Sequence, residues 1–179
     1  DEKVIFPVTV QANGSAVYTI KVGIPQECPV KACGRYYPER VDDVAWENDL
    51  TAFRAYGPAL QETGERAFGY DIWTKYNTTE PVVEARYEGE LNPDMKTKIA
   101  ELGKTDPKAA QELYRSVSYH VDHGNGLDCY KVGPTLGGGT TALMAGDTIV
   151  YPYCYATQEI LDNGPLRFTV KLVYNPLVV

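Results

Sequence analysis

The stretch Trp46-Glu47-Asn48-Asp49-Leu50-Thr51-Ala52-Phe53-Arg54-Ala55-Tyr56-Gly57-Pro58 decides how this chain is read. It mixes aromatic, β-branched and charged residues and stops at a Gly-Pro turn, which is the pattern of a strand on a half-buried pleated surface. As one strand it sends Trp46, Asn48, Leu50, Ala52, Arg54 and Tyr56 to one side and Glu47, Asp49, Thr51 and Phe53 to the other. Arg54 then stands beside Tyr56 and Trp46. A planar cationic fork with stacking surfaces is what a sugar or uronate pocket requires. The plainer alternative is an arginine whose stem packs on aromatics while its head pairs with a neighbouring carboxylate.

Working outward, residues 4–10, 16–24, 70–75, 82–87, 117–121, 127–132, 147–155 and 166–174 form further short β-type runs bounded by Gly, Pro, Asn or Asp. Tyrosine is abundant at 14 residues and suits such surfaces. The expected fold is mostly β, an antiparallel β-sandwich. One interval departs from it, because Asn92-Pro93 and Asp106-Pro107 each place a capping side chain before a proline at the first helical position. Helices are expected over 95–102 and 108–115, a short helical insertion near 92–115 at the sheet edge. Residues 1–179 read as a single domain. The apolar end, Leu177-Val178-Val179, suggests a terminal strand tucked into a sheet or a cut inside a larger domain.

Composition removes several function classes. The chain has 17 Lys+Arg against 24 Asp+Glu, a net charge of −7, and no basic stripe, so nucleic acid is not an expected partner. The uncharged stretch 132–145 is broken by Pro134 and Gly137-Gly138-Gly139, so no membrane span is expected. No basic-then-apolar leader precedes Asp1, and a secretion signal would have to lie outside this numbering. Cys28, Cys33, Cys129 and Cys154 lack the paired spacing of a zinc site. Cys28 and Cys33 either close a short disulfide loop across Pro29 or stay as thiols.

A second constellation runs Tyr119-His120-Val121-Asp122-His123-Gly124-Asn125-Gly126-Leu127-Asp128-Cys129-Tyr130-Lys131 and holds both histidines of the chain. His120 and Asp122 share a face if a strand persists, and His123 enters a Gly-Asn-Gly turn. An imidazole moves protons near neutral pH, and an adjacent carboxylate fixes its tautomer. Two other readings stay open for His120, Asp122 and His123: part of a metal site, or hydrogen-bonded turn residues. No metal and no cofactor is assigned. The loop Gly133 to Thr140 lacks the lysine and helix of a phosphate-cradling loop. Asn77-Thr78-Thr79 matches a glycosylation acceptor. Serine and cysteine nucleophile templates are missing.

The run Gly34 to Leu60 (GRYYPERVDDVAWENDLTAFRAYGPAL), the run Gly69 to Lys75 (GYDIWTK) and the block Tyr119 to Gly137 (YHVDHGNGLDCYKVGPTLG) together resemble a family of exported Bacteroidetes proteins found beside polysaccharide-degrading enzymes. That family is catalogued as a domain of unknown function. The resemblance implies a galactose-mutarotase-like supersandwich of which this chain is the front half. It also implies a periplasmic or extracellular location, and a partner chain or C-terminal half that completes the sheet. The expected ligand is an oligosaccharide or monosaccharide. The function read from these residues is carbohydrate-active chemistry by proton transfer at a His/Arg pocket. His120, His123, Arg54 and Glu47 are the candidate catalytic residues. Trp46, Tyr56, Tyr119, Asp122, Asp128 and Lys131 are the candidate substrate contacts. Epimerisation, mutarotation, β-elimination and glycoside hydrolysis are the candidate reactions, and a non-catalytic glycan-binding module or an accessory structural domain is the alternative.

Overall fold

Asn48 turns the decisive stretch back on itself. Its side-chain oxygen accepts from the backbone N–H of Leu50 at 2.8 Å and of Thr51 at 2.9 Å, closing a tight Asx turn. The computed structural model, which describes residues 4–24 and 26–176, therefore shows two strands where one is expected. These are β2 (Asp43–Asn48) and β3 (Thr51–Ala55), flanked by β1 (Ala32–Tyr37) and β4 (Asp71–Thr74). The four pair in the order β1-β2-β3-β4, every pair antiparallel. Because the turn resets the alternation, Trp46 pairs with Phe53 and lies on the face opposite Arg54. The expected Trp46–Arg54 neighbourhood is corrected accordingly.

Each face of this sheet carries its own layer. On one, Trp46 stacks between Phe53 (ring centroids 5.7 Å) and Phe168 (6.3 Å). Phe168 belongs to a long antiparallel hairpin, β7 (Tyr155–Asn163) and β8 (Phe168–Tyr174), whose Tyr155, Val170, Leu172 and Tyr174 pack with Val44 and Ala55. On the other face Tyr37, Ala45, Ala52 and Trp73 pack with Val83, Tyr87 and Tyr119. The helices on that side are α2 (Val83–Leu91), α3 (Pro93–Gly103) and α4 (Pro107–Val117); α1 (Pro58–Glu62) follows β3, and a small hairpin joins β5 (Leu143–Ala145) to β6 (Thr148–Val150).

The architecture is thus mixed, with antiparallel sheets and a helical layer larger than a short insertion. Asn92 and Asp106 do cap α3 and α4, accepting from Asp94, Met95 and Ala109 N–H groups, with Pro93 and Pro107 at the first helical positions. Residues 82–87, expected as a strand, open α2 instead. The buried Glu47 carboxylate accepts from the N–H groups of Val82 and Val83 at 2.9 Å and pairs with Lys75 at 2.8 Å, so a strand residue caps the helix through space. Residues 117–121 close α4 and a turn, residues 127–132 are irregular, and residues 4–24 pair in no strand. All four cysteines are free thiols. No helix among the described residues is long and apolar enough to cross a membrane. The expected apolar terminus at 177–179 lies outside the described residues.

Trp46→Ala empties the space between Phe53 and Phe168 and is expected to lower unfolding stability by about 3 kcal/mol in a denaturant titration. Leu50→Ala, at the exposed turn, is expected to change it by less than about 0.5 kcal/mol.

Candidate functional site

Apart from the Glu47–Lys75 pair under α2, the helix-side face of the sheet gathers its buried charge at one place. Asp43 on β2, Arg54 on β3 and Asp71 on β4 all point to it, and Arg54 and Asp71 are direct cross-strand partners. A guanidinium only 3% exposed needs counter-charges, since burying an unpaired ion is prohibitive. Arg54 Nη2 donates to Asp71, to Asp128 Oδ2 at 2.9 Å and to the Tyr56 hydroxyl at 3.1 Å, while Nε lies 3.8 Å from Asp43 Oδ2. The Trp73 indole N–H donates to Asp71 at 2.8 Å and the Tyr87 hydroxyl donates to Asp43 at 3.2 Å. The Tyr56, Trp73 and Tyr119 rings stand 4.9, 5.1 and 5.7 Å from the guanidinium carbon. Cation–ring attraction is strongest in such water-poor surroundings.

Three carboxylates crowd one guanidinium, and one oxygen of each, Asp43 Oδ1, Asp71 Oδ1 and Asp128 Oδ1, has no hydrogen-bond partner among the described residues. The excess of negative charge favours a bound proton. Burial pushes the Asp43 carboxyl up to about 7, with Arg54 and Arg40 pulling it back. Burial likewise raises Asp128 against the pull of Arg54. Burial opposes the charge on Arg54 itself, yet Tyr87, Tyr56, Asp43 and Asp71 hold it well above its ordinary value.

Asp128 carries the cluster to the surface. It sits in the loop after α4, whose Asp128 N–H donates to the Tyr119 carbonyl at 2.9 Å. Thr74 of β4 clamps the same loop by bonds to both the N–H and carbonyl of Leu127 at 3.0 Å. Gly126 lies against the Thr74 carbonyl at φ +98°, where no side chain fits. Asp122 closes the turn by accepting from Gly124 and Gly126 N–H groups. His120 is thereby laid over Asp128, its Nδ1 3.2 Å from the Asp128 carbonyl and 3.5 Å from the carboxylate, with the side chain 47% exposed. A cleft of about 720 Å³ opens above, lined by Arg40, Arg54, Tyr56, Lys96, His120 and Asp128, with Glu39, Glu65, Glu90, Tyr119, Tyr130 and Lys131 completing its walls.

Of the residues singled out from the sequence, Arg54, Tyr56, Tyr119, His120, Asp128 and Lys131 meet at this cleft. Tyr56 and Tyr119 are buried in its floor, Tyr119 stacked on Trp73 at 5.1 Å, so neither offers an open stacking plate. His123 faces a different hollow beside Arg86 and Asn125, its Nε2 bonded to the Ser118 carbonyl at 2.9 Å. Glu47 is spent on Lys75 and the start of α2, Asp122 on its turn, and Trp46 on the opposite face. The pairing of His123 with Arg54 and the catalytic placement of Glu47 are corrected by this geometry. Among the described residues, no three His, Cys, Asp or Glu side chains gather as a metal site. Sequence reasoning missed Asp43, Asp71, Arg40, Lys96 and Tyr130. The Asp42-Asp43 pair beside apolar Val44 was a signal for Asp43, because an acid inside a β run demands a partner.

The raised Asp43 carboxyl gives a test. Unfolded, it titrates near ~4. Folded, it titrates at about 7. Between those values the native state holds a proton that the unfolded chain has lost, so this group's contribution makes stability fall as pH rises across the window and level off above it. Asp43→Asn is expected to gain stability relative to wild type as pH rises from about 4.5 to about 7.5, measured by denaturant unfolding at each pH. Parallel curves for the two proteins would assign the proton elsewhere.

Residues 1–179 match a family described as a domain of unknown function, DUF4861. Uncharacterized protein P7 of Formosa agariphila is 28% identical over 159 residues, covering 85% of this chain and 34% of that protein. The chain thus spans about a third of the length of the curated relative it matches. No solved structure matches. With the match running from the first residue to the last, the chain belongs to the DUF4861 family.

Proposed function

We propose that the cleft over Arg54 binds a sugar or uronate unit of a polysaccharide and that His120 moves a proton on it. The observation that carries this reading is the orientation of the His120 ring. A carbonyl oxygen only accepts, so Nδ1, facing the Asp128 carbonyl, carries the ring hydrogen. Nε2 is left with its lone pair as the nitrogen available to a ligand, the arrangement of a general base held by a backbone carbonyl with a buried carboxylate beside it. Asp128 is held in turn by Arg54, which acts as a positioning residue at the floor.

The walls favour an acidic sugar. Among the described residues, the acids at the cleft are engaged: Asp128 with Arg54, Glu39 with Arg35 at 2.6 Å, Glu90 with Ser118 and the Tyr119 N–H, and Glu65 with Lys131 at 3.8 Å. Arg40 meets Asp43 only at 3.9 Å, and Lys96 has no ion pair among those described, so both keep donors for a carboxylate. Tyr130, partly exposed at the rim, offers the stacking ring expected of Trp46. Ring opening, epimerisation and β-elimination all need a proton removed near neutral pH, and each suits one exposed base better than hydrolysis, which uses two carboxylates. A polysaccharide-utilisation setting, export to the periplasm or beyond, and a mutarotase-like sandwich belong to the same proposal. The stacked sheet and β7–β8 hairpin support the last.

The test is calorimetric binding of neutral and uronate oligosaccharides alongside turnover followed by NMR. His120→Gln is expected to cut turnover by roughly 10²- to 10⁴-fold while affinity stays within about threefold. His123→Ala should leave both unchanged. Loss of affinity alone in His120→Gln would make the cleft a binding module, and absence of binding by every sugar class would end the carbohydrate reading.

A further inference from the structure

Residues 4–24 are the one long stretch of the described chain in which every residue is exposed. They are not a polar tail. Ten large apolar side chains, Val4, Ile5, Phe6, Val8, Val10, Val17, Tyr18, Ile20, Val22 and Ile24, are from 43% to 106% exposed. The two limbs alternate with the strand period, Val4-Phe6-Val8-Val10 and Tyr18-Ile20-Val22-Ile24. The chain folds back between them at Asn13, φ +59°, with Gly14 N–H on the Gln11 carbonyl at 2.9 Å. Tyr18 fastens the limbs, its hydroxyl bonded to Thr9 and its ring 5.3 Å from Phe6. The result is a pre-shaped ribbon with strand alternation and no sheet to join.

We propose that this arm is a dimerisation element, laid reciprocally against the free edge of the β7–β8 hairpin in a second copy of the chain. Among the described residues that hairpin pairs with no third strand, and its outer side shows exposed Leu161 and Val173. Unpaired edges and alternating strands complete each other by strand addition. The area is sufficient. A large apolar side chain withdraws roughly 60–120 Å² from water on burial, so the eight in the two alternating sets supply about 480–960 Å² per copy. Two reciprocal arms double this, which reaches the ~1,200–2,000 Å² of a stable specific interface. Charge agrees as well. Two bodies of net charge −7 repel, whereas residues 3–26 are the longest stretch without an acid, and between residues 4 and 24 Lys21 is the only charge.

Analytical ultracentrifugation of the full chain at micromolar concentrations, with hydrogen exchange, decides the matter. The expected result is twice the 19.8 kDa of one chain, with arm amides protected. Val8→Lys combined with Ile20→Lys is expected to return the single-chain mass and strip the arm's protection, leaving the circular dichroism of the body intact because both residues are exposed and belong to none of its core clusters. Val173→Lys, on the acceptor side, should do the same. A single-chain mass for the unaltered protein would overturn the proposal, whether its arm proved unprotected, folded back or taken up by lipid vesicles. So would a dimer that survives both sets of substitutions.

Discussion

Removing a guanidinium from water costs several kcal/mol unless its donors find charged partners, and Arg54 draws those partners from three separate segments. Asp43 comes from β2, Asp71 from β4 and Asp128 from the loop after α4. The first two stitch neighbouring strands on one face. The third reaches up and pulls the loop onto the sheet, and His120 rides on that loop. The position of the imidazole is therefore a by-product of neutralising a buried charge. The same arrangement buries Asp43 completely, and that burial, with a smaller push from neighbouring Asp71, is why its carboxyl titrates near neutrality.

The two faces of the four-stranded sheet divide the labour. Trp46, Phe53 and Phe168 form an aromatic stack against the β7–β8 hairpin, where close packing and burial hold the layers. On the opposite face apolar packing by Trp73, Tyr87 and Tyr119 surrounds the charged cluster and keeps water from it. Low local polarity strengthens each ion pair and also makes every missing partner costly. The stability of the chain and the chemistry available to its cleft thus depend on the same few side chains.

What could be read from the sequence was what is decided locally. Asn92-Pro93 and Asp106-Pro107 start helices because cap and proline act within one turn, and 166–174 makes a strand because its alternation is strong. Arg54, His120 and Asp128 stood out as residues that chemistry would use, and they do share a cleft. Residues 82–87 misled because Val82, Val83 and Tyr87 have β-type side chains, although Val83, Tyr87 and Leu91 lie at helical spacing. The cap that starts that helix is Glu47, distant in sequence. Asn48-Asp49 lacked the glycine of the strongest hairpin signal, so the turn was read through and Trp46 fell on the wrong face. The loop 118–132 takes its shape from bonds to Thr74, and the carboxylates round Arg54 are assembled by strand register. No local pattern carries either.

Helix α3 contributes Lys96 to the cleft wall, yet it buries no residue and rests mainly on its Asn92-Pro93 cap and its neighbours α4 and α2. Such a segment tolerates sequence drift, because little of the folding free energy passes through it. The floor under Arg54 has no such latitude. Substitution in this wall is accordingly cheap for the fold while substitution beneath Arg54 is not, a separation that lets the rim of the cleft diversify without the architecture being re-invented.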